Sequence, residues 1–396
     1  MSFKGENAYN FTEKISFPRL IGTEGWLKAR KMIKDEFKSF GYEDKDIQTQ
    51  DFKSSLYVTN VLLRVLMIPI LVIGFLIVWS YFYFPLVSLI ISIIILFLLP
   101  FISKFASSGG DYKEPKEGIE SQNVYVKIKS NNSKSTIILM GHYDTKSQVL
   151  SIVQRVICYV LLFIGAITCC ILGLIGSILK LWFITNNIIS ISILVAGIIT
   201  GIASILLMAN AVQNKSPGAL DNGTAIATVL ELSRIFKAKD KPPKNVDLIF
   251  LCTDAEEQGV LGASAFINKF EDKFDKKTTF FINFEAPGAK DVVLGLLTSF
   301  GMPKKQYTSK KLNLLALKSA KLLDIEIKEK YWPIGLLADH NPMINHGYEA
   351  TLLMTMAMSA GIHTPNDTME NVSKEKLEEA GLVSEKMIEL FDEELE

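Results

Sequence analysis

Between Val65 and Ser103 the chain carries no charged residue. A bilayer core takes roughly 20 apolar residues per helix, so this gap excludes an ordinary soluble loop and has the length of two spans. Cysteine is scarce, four in 396 residues, which excludes a disulfide framework; Cys158, Cys169 and Cys170 lie in apolar sequence and Cys252 in a core-like run, where thiols serve as small hydrophobes. Excess charge of either sign is also missing: 42 basic residues face 42 acidic ones, and no basic stripe offers a footprint for nucleic acid. The start, Met-Ser-Phe-Lys-Gly-Glu, lacks the apolar core of a secretory signal. Histidine is sparse enough, four in all, that each position matters.

What is abundant is apolar sequence, 49% of the chain, concentrated in two places. Spans are expected near 61–80 and 84–103, joined by the aromatic turn Tyr81-Phe-Tyr-Phe-Pro85, and again near 156–179 and 187–209, joined by a link holding Lys180, Trp182 and Asn186. Four transmembrane helices in two hairpins follow. In the third, Gly165, Cys169, Gly173 and Ser177 recur every fourth residue, and the fourth contains Gly197 and Gly201, small-residue stripes along which helices pack closely. Two hairpins (57–104 and 151–212) leave the soluble pieces 1–56, 105–150 and 213–396 on one side of the bilayer, free to form a single domain. Lys53, Arg64, Lys104, Lys113, Lys146, Arg155 and Lys215 flank the spans on that side, against Lys180 alone on the other. The positive-inside rule then puts the soluble domain in the cytoplasm.

Within that domain, Trp26, Ala29, Met32, Ile33 and Phe37 recur at helical spacing ahead of Gly41 and predict a helix over 25–40. A strand is expected within 46–55 and two more at Val124–Val126 and Thr136–Met140. Further apolar runs at Val246–Leu251, Thr279–Phe284, Val292–Leu296 and Thr351–Met356 alternate with helical patterns at 224–237, 311–323 and 374–391. This alternation predicts an α/β domain with a mostly parallel, mixed sheet flanked by helices. The charge run Glu271–Lys277 is expected to be a solvated loop.

Chemistry-bearing residues fall where such runs end. His142 follows Ile-Ile-Leu-Met-Gly, Glu256 and Glu257 follow Leu-Ile-Phe-Leu-Cys-Thr-Asp-Ala, Glu285 ends Phe-Phe-Ile-Asn-Phe, and His363 comes after Thr351–Met356. Ligands of open α/β sheets gather at these carboxyl ends. Asp221 opens the helix predicted from Thr224, where by itself it reads as a helix cap. Imidazole and carboxylate oxygens are the ligands a catalytic divalent metal takes. Adjacent carboxylates at a turn point apart, so one of Glu256 and Glu257 can hold a metal while its neighbour reaches a water.

The stretches Gly-His-Tyr-Asp (141–144), Ser-Pro-Gly-Ala-Leu-Asp-Asn-Gly (216–223), Glu-Glu-Gln-Gly-Val-Leu-Gly-Ala (256–263), Ala-Asp-His-Asn-Pro (338–342) and His-Thr-Pro-Asn-Asp-Thr (363–368) together resemble the M28 family of zinc metallopeptidases, and Phe17-Pro-Arg-Leu-Ile-Gly-Thr-Glu-Gly25 looks like that family's N-terminal segment. The hairpins look like insertions into its domain. The resemblance implies an aminopeptidase acting on peptides or protein termini, and two zinc ions bridged by Asp221: one also held by His142 and Glu285, the other by Glu257 and His363. It further implies Glu256 as general base and Asp144 as the acceptor that fixes the His142 ring. The family usually has Asp where this chain has Glu285. The added methylene leaves a glutaminyl-cyclase-like enzyme with a single working zinc as an alternative, and a catalytically silent membrane receptor or scaffold of the same fold as another. Asp339 and His340 match the family's Asp-His, with a structural role expected for His340; His346 is assigned no role. His142 precedes the third expected span by about 14 residues, so at roughly 3.5 Å per extended residue it is tethered within about 50 Å of the bilayer. A site mouth facing the membrane surface is the expectation.

Overall fold

The structure is a computed structural model, which describes residues 2–107, 114–239, 243–301, 304–333, 337–355 and 360–396. Lys113 and Met356, named above, lie outside the described residues, and side chains of the second apolar helix are described as far as Leu98. The chain divides into two compact units: Met1–Ser55 with Tyr112–Ser147 and Gln213–Glu396, and Leu56–Asp111 with Gln148–Val212.

The first unit is built on a nine-stranded sheet of β1 (Gln48–Ser54), β2 (Ile119–Ile128), β3 (Ser135–His142), β4 (Val246–Thr253), β5 (Thr279–Glu285), β6 (Leu294–Phe300), β7 (Gln306–Tyr307), β8 (Ile327–Trp332) and β9 (Glu349–Met354). The order is β1-β2-β4-β3-β5-β9-β6-β8, with β7 beside β6. The centre, β4-β3-β5-β9, is parallel, and antiparallel pairing sets in at β2 on one flank and β6 on the other. A strand covered on both faces has to be apolar on both, and β4 (VDLIFLCT) is buried along its whole length.

Helices cover the two faces. On one, α8 (Leu261–Phe270) and α10 (His340–Asn345) close over Ile138, Met140, Ile249, Leu251 and Phe281, the inward positions of alternate residues. The opposite face, carrying Phe250 and Phe280, receives Phe236 of α7 (Thr224–Ala238) and Phe391 of α11 (Lys374–Glu393), with ring centroids 6.4 and 4.8 Å apart. Removing each such ring from water contributes about 1.5–3 kcal/mol. Helices α1 (Gly5–Ile15), α2 (Glu24–Ser39), the latter capped by Thr23, and α9 (Lys310–Leu322) complete the unit.

Helix α8 starts so close to β4 that only glycine fits at its second residue: a Cβ on Gly262 would stand 2.1 Å from the Asp254 carbonyl oxygen and 2.8 Å from its nitrogen. Gly262→Ala is therefore expected to cost about 1–3 kcal/mol, read as a lower denaturation midpoint of the detergent-solubilised chain; an unchanged midpoint refutes the close approach.

The second unit contains α3 (Met67–Tyr83), α4 (Pro85–Ser107), α5 (Ile152–Leu181) and α6 (Asn187–Ala209). Among the described residues three helices are long and apolar enough to cross a membrane: Thr59–Tyr83, Ile152–Leu181 and Asn187–Ala209. The described side chains of α4, Pro85–Leu98, make a shorter apolar stretch. The glycine stripes lie between helices: a Cβ on Gly165 would meet Thr200 Oγ1 at 2.6 Å, and one on Gly197 would meet Val78 Cγ2 at 2.4 Å. Polar ties are few, among them Tyr81 Oη to Ser190 Oγ at 2.8 Å and the Arg64 Nε bond to the Met208 carbonyl at 2.6 Å.

Candidate metal centre

Three parallel strands deliver the site. His142 is the last residue of β3 and Glu285 the last of β5, while the turn after β4 carries Glu256 and Glu257. Asp221 and His363 arrive on loops, Asp221 just ahead of α7 and His363 beyond β9. The structure brings five of these, all but Glu256, together in two overlapping groups: ligand atoms of His142, Asp221 and Glu285 lie within 4.8 Å of one another, and so do those of Asp221, Glu257 and His363. Asp221 belongs to both. Its Oδ1 is 3.3 Å from His142 Nε2 and its Oδ2 is 3.0 Å from His363 Nε2. His363 Nε2 is also 3.0 Å from Glu257, and His142 Nε2 stands 3.6 Å from Glu285 and 3.7 Å from Glu256.

Backbone in the left-handed region marks three of these positions: His363 itself (φ 62°), Ala255 before the paired glutamates (φ 54°) and Ala286 after Glu285 (φ 49°). Non-glycine residues adopt such angles at a cost of about 1–3 kcal/mol, which surrounding contacts must offset. Here they do. Asp144 accepts from the Glu256 and Glu257 amides at 3.0 and 3.2 Å, and Asn222 accepts from the Ala286 amide at 2.9 Å while donating to Glu285 at 3.2 Å. Asp367 accepts from the amides of Leu220 and Asp221 at 2.8 and 3.1 Å.

Asp144 meets the His142 ring, its backbone carbonyl lying closer than its carboxylate. Nδ1 lies 3.1 Å from the Asp144 backbone carbonyl and 3.5 Å from the carboxylate, because that carboxylate is engaged by the two glutamate amides. Either oxygen fixes the same tautomer, leaving Nε2 turned to the site. Lys146, counted above with the membrane-flanking cations, instead forms an ion pair with Glu257 at 2.8 Å and is largely buried.

Electrostatics separates the acids. Burial alone would raise Asp221 and Glu257; His142 and His363 hold Asp221 well below the usual carboxylate range, and His363 with Lys146 brings Glu257 down to about 2. Burial, reinforced by Glu285, Glu257 and Asp339, outweighs the pull of His142 and pushes Glu256 well up. Glu285 is raised to about 7, again chiefly by burial. Asp221 and Glu257 are thus held charged, while Glu256 and Glu285 are both drawn toward their protonated forms.

Buried atoms at the junction of the two groups, His142 Nε2, Asp221 Oδ1 and Glu257 Oε1, approach one another or His363 at 3.0–3.3 Å yet make no hydrogen bond of good geometry. Leaving such atoms unsatisfied costs about 1–3 kcal/mol each, and a nitrogen and carboxylate oxygens converging from several directions are the donor set of a divalent cation such as zinc. The residues present fit a metal. Asp339, bonded to Thr253, stands behind Glu256 and Glu285. His340 takes no part in either group: it is fully buried edge-on to Phe300 at 5.3 Å, and burial lowers it to about 3. His346 instead meets Glu271 at 3.2 Å.

The model of peptidase family M28 matches residues 202–388. Among solved structures, the zinc aminopeptidase BSAP of Bacillus subtilis superposes with a TM-score of 0.57 at 15% identity, covering 98% of this chain and 95% of that one. The chain has an M28 aminopeptidase-like fold. A glutaminyl cyclase from an Acidobacteriales bacterium gives a TM-score of 0.56 at 17% identity, covering 100% and 96%. Among curated relatives, aminopeptidase YwaD of Bacillus subtilis is 27% identical over 174 residues, 42% of this chain and 36% of that protein. A vacuolar membrane protease of Schizosaccharomyces japonicus is 43% identical over 72 residues, 18% of this chain and 8% of the relative. The match therefore spans about a third of the first relative's length and under a tenth of the second's.

Arg19, Asn222 and Asp367, which tie the M28-like loops together, were not singled out by sequence reasoning. Each nevertheless stands inside a quoted motif, and a polar or charged residue embedded in a Gly/Pro-rich loop motif was the available signal.

Proposed function

We propose that the chain is a membrane-embedded di-zinc metallopeptidase, an aminopeptidase that cleaves peptides or protein termini, with His142, Asp221 and Glu285 as one ligand set and Asp221, Glu257 and His363 as the other. The observation that carries this reading is the pair of groups sharing Asp221, with unsatisfied buried atoms at their junction and one acid, Glu256, belonging to neither. Zinc held there supplies Lewis acidity toward a carbonyl oxygen and lowers the pKa of water. Glu256 is the general base: its raised proton affinity suits it to take the proton of the attacking water and pass it to the leaving amine. Asp144 keeps Glu256 in place through its amide and, with its own carbonyl, keeps His142 in the tautomer whose Nε2 faces the site. A silent scaffold has no use for such a base.

The apolar helices support attachment to a bilayer, with the catalytic unit on the cytoplasmic side by the distribution of Lys and Arg. Glutaminyl cyclisation is the second reading, favoured by Glu285 in place of the usual Asp and by the likeness to a cyclase fold.

The full chain, purified in detergent, distinguishes these readings. Expected are retention in membranes after an alkaline carbonate wash, close to two zinc ions per chain by mass spectrometry, and chelator-sensitive hydrolysis of aminoacyl-nitroanilides. Cyclisation of an N-terminal glutaminyl peptide with one bound zinc transfers the assignment to the second reading. Zinc binding with neither activity sinks both.

A further inference from the structure

Among the described residues, Arg19 is the largest side chain with no exposure to solvent. Burying a guanidinium is costly unless its donors are satisfied, and here they are met in an unusual way: among the described residues every hydrogen-bond acceptor of the guanidinium is a backbone carbonyl. Nε donates to Tyr143 at 2.8 Å, Nη1 to Pro217 at 2.7 Å, to Phe17 at 3.1 Å and to Ile15, and Nη2 to Gly218 at 3.0 Å. The main chain repeats the attachment: the Arg19 amide donates to Thr145 Oγ1 at 2.8 Å, and the Thr145 amide to the Arg19 carbonyl at 3.2 Å.

These carbonyls are not scattered. Tyr143 directly follows His142, and Pro217 and Gly218 open the loop that ends in Asp221. A single planar fork therefore spans the two segments that bring His142 and Asp221 to 3.3 Å, and it holds both to the N-terminal segment. Arg19 makes no described hydrogen bond to the segments carrying Glu257, Glu285 or His363. Burial lowers its pKa to about 10, and Asp367, Asp144, Asp221 and Glu257 oppose that loss, so the fork stays charged at neutral pH beside a centre rich in carboxylates.

We infer that Arg19 is a positioning residue of the metal centre: by bridging the carbonyls after His142 and before Asp221 it sets the spacing of that ligand pair, and with it the affinity of the site that includes Glu285. This rests on the zinc-peptidase reading above. The fork acts through main chain, so lysine, with the same charge but no planar set of donors, cannot replace it. The effect is also lopsided. The ion held by His142, Asp221 and Glu285 loses a constraint on two of its ligands, whereas the ion held by Asp221, Glu257 and His363 loses it on one.

The test is zinc titration of the full-length chain by competition with a chelator of known affinity, for wild type, Arg19→Lys and Thr145→Ala, with circular dichroism to establish folding. Outer contacts of metal ligands typically change affinity about 10–100-fold. Arg19→Lys is expected to weaken one zinc by that factor and the other by less than about threefold, with Thr145→Ala showing the same asymmetry at smaller amplitude. In activity, kcat should fall with KM little changed and recover when zinc is raised, a rescue that a merely structural defect would not give. Two zincs bound as tightly as in wild type, or both weakened equally, overturn the inference; if Arg19→Lys does not fold, Thr145→Ala decides by the same criteria. Failure of wild type to bind two zincs is a different result, which removes the di-zinc reading and this inference with it.

Discussion

Glu256→Gln is expected to lower kcat by about 10²–10⁴-fold, the range lost with a general base, while zinc content stays as in wild type. The separation follows from the geometry. Glu256 is outside both ligand groups, and the amide that positions it is held by Asp144 regardless of the side chain. Glutamine preserves the volume in a nearly closed site and removes only the capacity to take up a proton. The variant should bind substrate normally, so the loss appears in kcat rather than KM. Metal analysis alongside nitroanilide hydrolysis checks this: an equally active variant means the proton leaves by another route, and a zinc-depleted one means Glu256 is a ligand.

Asp221→Asn is expected to have the largest effect on the metal itself. Zinc binding of about 10–16 kcal/mol distributed over four ligands makes one ligand's share about 3 kcal/mol, or about 10²-fold in affinity. Asp221 stands between His142 and His363 at 3.3 and 3.0 Å and is shared by the two groups, so both ions should weaken together. His363→Ala, by contrast, should weaken one ion and spare the other. Chelator competition reads both, and single-ion loss in Asp221→Asn would mean that the carboxylate does not bridge.

The site was legible where chemistry sits at strand ends. His142, Glu256, Glu257 and Glu285 follow apolar runs that read only as buried strands, and in an α/β sheet those ends converge. What orients them was not legible, because it is carried by backbone. The partners of Arg19 are carbonyls of Tyr143, Pro217 and Gly218, which leave no trace in residue identity. The same holds for Asp144, whose backbone carbonyl lies against the His142 ring while its carboxylate also holds two amides. Lys146 misled because a lysine ahead of an apolar span looks like a membrane-flanking charge until Glu257 is seen beside it. In the fold, β8 was missed since Ile-Lys-Glu-Lys-Tyr-Trp reads as polar sequence; as the edge of the sheet it is half solvated, and its charges guard the open edge. Helix α1 went unnoticed because its buried side includes Gly5 and Thr12 beside Ala8, Phe11 and Ile15.

The sheet order has a consequence for synthesis. Strand β2 pairs with β1 on one side and with β4 on the other, yet β4 is encoded roughly 120 residues after β2, with the long apolar helices α5 and α6 in between. At about 5–20 residues per second of translation, the β1–β2 ribbon waits on the order of 6–24 s for its neighbour. During that interval its inner edge is an open template for pairing with another strand. Nascent chains of this protein should therefore depend on a holding chaperone until β4 emerges.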